Sequence, residues 1–243
     1  MTWPWEVAER DHEIQNPLSP EKIKLLGDYL RLTPESRVLD IACGKAGPAL
    51  ILASNYGCRI VGVEQRATFA DEARARIAEQ GLESRIEVHT ADAAEFPLEP
   101  EAWDAALCIG AAFVWGTIAE AAVALWPAVR PGGFVAIGEP FWRRSPSPEG
   151  AHPGDFVSLQ ETVGRFEGVG LATTGVIAAS DDDWDHYRSL HWRAIEEWLA
   201  EQPDHPDAAE IRTQHEERRE SYFRADRTAL GWAIFVGRKR DEG

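Results

Sequence analysis

Short, unbroken apolar runs alternate with amphipathic stretches along most of this chain. Arg37–Ala42, Arg59–Glu64, Ile86–Thr90, Ala105–Ile109 and Phe134–Gly138 have the length and composition of strands. Residues 67–80, closed by Gly81, and 117–128, closed by Arg130-Pro131-Gly132-Gly133, carry helical periodicity between them. Strands spaced by helices of this length predict βαβ units and a parallel sheet. The run Ala105-Ala106-Leu107-Cys108-Ile109 is apolar at every position. That suits a strand covered on both faces, as parallel strands are.

Upstream, Ser19-Pro20-Glu21 predicts a helix through Leu32, with Ser19 as N-cap and Pro20 at its first position. Downstream, four prolines between 140 and 154 predict a long loop, followed by a helix over 155–166 and a strand over 171–179. The last strand is expected at 231–237. Residues 180–230 separate those final strands. Trp184, Tyr187, Arg188, His191, Trp192, Ile195, Trp198 and Leu199 share one helical face there, and a second helix is expected over 206–230. No linker or shift in composition divides the 243 residues, so one domain is expected, with residues 1–33 as an N-terminal cap and 180–230 as a helical insertion.

An apolar fraction of 44% supplies a core and excludes a wholly disordered chain. The formal charge of −16 disfavours a nucleic-acid partner, because such a field repels phosphates. Cys43, Cys58 and Cys108 form neither a disulfide framework nor a zinc spacing, so a reducing, cytoplasmic location is expected. The N-terminal residues lack the basic and apolar regions of a signal peptide. Residues 105–129 contain a single charge, Glu120, but Gly110, Gly116 and Pro127 interrupt them, which fits strand, turn and packed helix better than a membrane span.

Chemistry concentrates at strand ends. Asp40-Ile41-Ala42-Cys43-Gly44-Lys45-Ala46-Gly47 leaves the first strand through a turn whose small residues let a ligand approach backbone N–H groups. Ala42-x-Gly44-x-x-Gly47 is one substitution from the dinucleotide fingerprint, and Glu64, 20 residues beyond Gly44, sits where a ribose-binding acid would. A nicotinamide-dependent oxidoreductase therefore stays open. Asp40, however, lies inside the first strand, where a pyrophosphate would not be welcome and a cationic ligand would. Asp92, 28 residues after Glu64, ends the third strand and can accept a hydrogen bond from an adenine amino group.

Taken together these residues resemble the class I S-adenosylmethionine-dependent methyltransferases. Asp40–Gly47 is similar to the family's first motif, Glu64 to its ribose-binding acid and Asp92 to its adenine-side acid. Trp103–Gly110 is similar to its fourth strand, and Leu125–Gly133 to its Pro-Gly-Gly turn. Ala42 and Ala46 stand where the family usually has glycine. His12, Asn16-Pro17 and Gly138-Glu139-Pro140-Phe141-Trp142 resemble a sparsely characterised bacterial branch.

The resemblance implies an α/β, Rossmann-like fold: a seven-stranded sheet, mostly parallel with an antiparallel last strand, and helices on both faces. It implies S-adenosylmethionine as cofactor, S-adenosylhomocysteine as product, and in-line methyl transfer to a small molecule. Cofactor contacts are expected from Asp40, Ala42, Cys43, Gly44, Gly47, Glu64, Gln65, Asp92, Ala93, Cys108 and Gly110. Glu139 and His12 are the candidate acid–base groups, and Trp115, Trp142, Trp184 and Tyr187 the candidate acceptor contacts. His186 and His191 are five apart and share no helix face for a metal, so none is expected. A non-catalytic S-adenosylmethionine-binding protein is the remaining alternative.

Overall fold

The computed structural model describes residues 4–144 and 156–240. In chain order the elements are α1 (Trp5–Ala8), α2 (Pro20–Tyr29), β1 (Arg37–Ile41), α3 (Gly47–Tyr56), β2 (Arg59–Glu64), α4 (Ala67–Glu79), β3 (Ile86–Thr90), β4 (Trp103–Ile109), α5 (Ile118–Leu125) and β5 (Val129–Trp142). They continue as α6 (Leu159–Glu167), β6 (Leu171–Ala178), α7 (Asp181–Glu201), α8 (Ala208–Ser221), α9 (Arg227–Ala229) and β7 (Leu230–Lys239). The seven strands form one sheet in the order β3-β2-β1-β4-β5-β7-β6. β7 runs antiparallel to both its neighbours, and β1 to β5 pair in parallel.

Both faces of the sheet are covered, and the period-2 alternation of a strand sorts side chains between two cores. Val38, Ala105, Leu107 and Ile109 join the cluster packed under α2, α3 and α4. Leu39, Ala106 and Cys108 join the opposite cluster under α5 and α6. Helix starts follow local chemistry. The Ser19 side chain caps α2, with Pro20 in its first turn. Thr117 with Glu120, Ser158 with Glu161 and Ser180 with Asp183 form capping boxes on α5, α6 and α7. Glu120, the lone charge of its apolar stretch, thus serves the end of a helix. No helix among the described residues is long and apolar enough to cross a membrane.

Three expectations change. β5 runs on to Trp142, because β7 continues to pair with it as far as Trp142↔Leu230. The expected loop from 140 therefore begins as strand, and residues 145–155 lie outside the described ones. Pro140 is tolerated because β4 stops pairing with β5 at Gly138, leaving one side without a ladder to break. The helix expected over 206–230 is interrupted: α8 ends at Ser221, Tyr222–Asp226 is a π-turn, and α9 is short. The helix expected over 155–166 starts at Leu159, after the Ser158 cap.

Candidate active site

At the carboxyl edge of β1, β2 and β4 lies a cavity of about 600 Å³. Ligands of open α/β sheets bind at this edge. Asp40, Ala42, Cys43, Gly44, Gly47, Glu64, Gln65, Asp92, Ala93 and Gly110 all line it. Cys108 does not. Strand alternation turns its side chain into the α5 core with Ala106.

The turn after β1 is tightly built. Glu64 Oε2 accepts from the Gly44 N–H at 2.9 Å and Oε1 from the Arg66 N–H at 2.7 Å. Ala42 and Ala46 both take left-handed backbones, with φ of 56° and 60°. Residues 15 and 16 cross directly above. The Lys45 N–H donates to Gln15 Oε1 at 2.8 Å, and Asn16 Nδ2 donates to the Ile109 carbonyl at 3.1 Å. A side chain on Gly44 (φ +56°) would meet Gln15 Oε1, and one on Gly110 (φ +83°) would meet Asn16 Oδ1. Lys45, almost wholly buried, pairs with Glu72 at 2.8 Å and donates to the Arg10 carbonyl at 2.9 Å. Asp92 Oδ1 accepts from the Ala94 N–H at 2.9 Å, and Oδ2 from Gln65 Nε2 at 3.2 Å.

Asp40 is different. It is 2% exposed, and its Oδ2 has no hydrogen-bond partner. Burial, with the nearby Glu64 charge second, pushes its carboxyl up to about 7. A buried, unsatisfied carboxylate on a cavity wall is completed by a cationic or hydrogen-bond-donating ligand.

The opposite wall comes from the chain between β6 and β7. Trp184, Tyr187, Arg188, Arg218 and Asp226 line it, together with Trp5 and Glu9 from the N-terminus and Trp232 of β7. Trp115 and Trp142 do not line this cavity. Trp115 packs against the α5 core, and Trp142, held in β5, packs edge-on to Phe156 at 6.3 Å between ring centres.

His12 is buried below the wall rather than in it, and this too departs from the sequence reading. Its Nε2 lies 3.0 Å from the Tyr187 carbonyl. Glu9 takes the cavity-lining place, its Oε1 receiving the Tyr187 hydroxyl at 3.1 Å and lying 2.8 Å from His191 Nε2. Burial pushes His12 down to about 4 and His191 to about 3, and raises Glu9 above its ordinary value. Both imidazoles are therefore neutral at pH 7. Among the described residues Glu9, His12 and His191 are the group whose donor atoms converge closely enough to hold a metal ion. The sequence hid this group, since it joins residues more than 170 positions apart. The Glu9-x-x-His12 spacing was its one visible trace.

Glu139, at the end of the cofactor-edge run of β5, lines an adjoining cavity of about 270 Å³ that shares Gly110, Phe113, Pro140 and Phe156 with the first. Its carboxylate makes no hydrogen bond or ion pair with any described residue, and burial alone pushes its carboxyl up to about 7. The sequence missed Glu9, Gln15, Arg218 and Asp226 as site residues, and it had Asn16 only as part of a resemblance with no role assigned. It had Arg188 only as one member of an aromatic stripe.

Comparison with known proteins decides the family. Residues 38–133 match the model of a methyltransferase domain. The chain is 31% identical to the uncharacterized protein YjhP of Escherichia coli (strain K12), over 95% of each chain. It is 30% identical to a SAM-dependent methyltransferase from Thiobacillus denitrificans, solved in complex with S-adenosyl-L-homocysteine, covering 99% of each chain with a TM-score of 0.91. The chain is an S-adenosylmethionine-dependent methyltransferase. The methyltransferase fold accounts for the sheet order and the antiparallel β7, and S-adenosylmethionine is the cofactor. Its residues fit that group, since Asp40, whose Oδ2 is unpaired, and Gly44 and Gly47 of the turn line one cavity with Glu64 and Asp92. The chain is also 26% identical to the 27-O-demethylrifamycin SV methyltransferase of Amycolatopsis mediterranei, over 89% of this chain and 82% of that one.

Proposed function

We propose that this methyltransferase acts on a small molecule held between the β1–β4 edge and the α7–α9 wall. The observation that carries this reading is the enclosure: one cavity is lined both by the strand-end acids and by Trp184 and Tyr187 of α7. A pocket of a few hundred Å³ with aromatic walls and a few polar groups is sized for a small ligand rather than a folded macromolecule. The rifamycin methyltransferase, whose name gives a small-molecule acceptor, supports the same class. The net charge of −16 argues against nucleic acid as acceptor.

Asp40, Gly44, Gly47, Glu64 and Asp92 would hold the cofactor, with Ala42, Cys43, Gln65, Ala93 and Gly110 around it. When bound, it supplies an electrophilic methyl group on a sulfonium. The chain's own residues then have to align the acceptor and exclude water, and alignment is worth several kcal/mol of barrier. Glu139 is the better-placed base: it faces a cavity, has no partner, and titrates near neutrality. His12 supports Tyr187 and Glu9 from below. Residues 4–33 and 180–230 act as cap and roof of a single domain. A cytoplasmic site of action suits three unpaired, buried cysteines.

The test is methyl transfer from tritiated S-adenosylmethionine into a fractionated small-metabolite extract, followed by mass spectrometry of the labelled species. Label confined to material below about 1 kDa is the expected result. Label found only in protein or nucleic acid would refute the reading.

A further inference from the structure

Arg188 is an unusual cation for so acidic a chain. It sits in the cavity wall, its guanidinium 5.3 Å from the Trp184 ring centre, 5.8 Å from Tyr187 and 5.9 Å from Tyr222. Rings on three sides stabilise the charge but accept few of its five N–H bonds. Its Nε is fully buried with no hydrogen-bond partner, and it has no carboxylate within ion-pair distance among the described residues. Glu9 and Asp226 line the same cavity, yet neither closes on it. The indole N–H of Trp184 is a second buried donor left without an acceptor.

A second guanidinium, Arg218 of α8, lines the same wall. Burial and the charge of Arg188 disfavour its protonated form, so the fold holds two like charges close at some cost. Two arginines from different helices line one cavity together with Trp184, whose buried indole N–H is unsatisfied. Buried donors are ordinarily satisfied, and a planar guanidinium fork matches an oxyanion in particular. Asp226 Oδ1, buried without a donor on the π-turn between α8 and α9, adds one acceptor nearby. π-turns of this kind are frequent at functional sites.

We infer that the methyl acceptor carries an oxyanion, a carboxylate or a phosphate ester, bound by Arg188 and Arg218 beneath Trp184, with a hydroxyl or amine of the same molecule directed to Asp226. This assignment rests on the methyltransferase reading and specifies its acceptor.

Isothermal titration calorimetry tests it on the full chain. S-adenosylhomocysteine is titrated first; failure to bind would fall on the cofactor site and not on the arginines. The complex is then titrated with benzoate, phenyl phosphate and the neutral benzamide. At least one anion should bind ~10-fold or more tightly than benzamide. Arg188→Gln should lower that affinity at least ~10-fold, Arg188→Lys should restore part of it, and the charge control Arg212→Gln should leave it unchanged. S-adenosylhomocysteine affinity and melting temperature should stay close to wild type in all three variants. Whichever anion binds more tightly identifies the carboxylate or the phosphate ester. Benzamide binding as well as the anions, neither anion binding the wild-type complex, or an Arg188→Gln protein that binds anions as before would each overturn the assignment.

Discussion

Asp40 offers the sharpest physical test of the cofactor edge, because its cost in the free protein can be measured. In the unfolded chain an aspartate ionises near 3.8; here burial, and secondarily Glu64, hold it protonated up to about 7. The free folded protein therefore keeps a proton that the unfolded chain has lost, and stability falls as pH rises from about 4 to about 7. Above that window the full difference, ~4 kcal/mol, applies, while at pH 5 only ~1–2 kcal/mol does. Asp40→Asn removes the titration and keeps the shape. The variant's stability should exceed wild type by an amount that widens by ~2–3 kcal/mol between pH 5 and pH 8, or roughly 5–10 °C in melting temperature at this chain length.

Taking the difference between the two proteins cancels the buried histidines, whose lowered values act oppositely by removing stability as pH falls below about 6.5. Paired chemical denaturation curves at several pH values are the assay. Binding of the cationic cofactor should favour ionised Asp40, so calorimetry near pH 7 in buffers of different ionisation heat should detect proton release that Asp40→Asn lacks. A stability difference that stays constant from pH 5 to 8 would refute the argument.

Ala46→Gly should stabilise the protein by ~0.5–1 kcal/mol, as relief of the left-handed backbone outweighs the added freedom of the unfolded chain; thermal melts decide this, and a destabilised variant would contradict it. Glu139→Gln should lower turnover ~10²-fold with cofactor affinity unchanged, and the wild-type rate should rise through a limb near pH 7 that the variant lacks. A variant with wild-type kinetics would return Glu139 to a structural role. Lys45→Met removes the ion pair to Glu72 and the bond to the Arg10 carbonyl, at ~2–3 kcal/mol; hydrogen exchange of residues 10–16 should accelerate, and unchanged protection would show that Lys45 does not fasten that segment.

Period and spacing alone carried the fold. Continuous apolar strands, helices between them and three acids at successive strand ends were enough to define a parallel α/β sheet with its ligand edge, because these features depend on local backbone geometry. Ten of the eleven proposed cofactor contacts reach one cavity for that reason. The Cys108 side chain lies outside it because a strand's alternation has to be counted from the residue that faces the cavity, and a run apolar on both faces hides that phase. Trp142 lies in a strand and not in the expected loop because the two differ only in whether a partner strand, here β7, arrives to pair. Of the α7–α9 wall, helical periodicity reached Trp184 and Tyr187 but not the charged groups beside them. Glu9 meets His191, and Arg188 meets Arg218, only when the N-terminus and the α7–α9 segment fold over the same edge. Such contacts join positions with no shared period, so tertiary packing alone decides which charges face the substrate and which groups remain unsatisfied there.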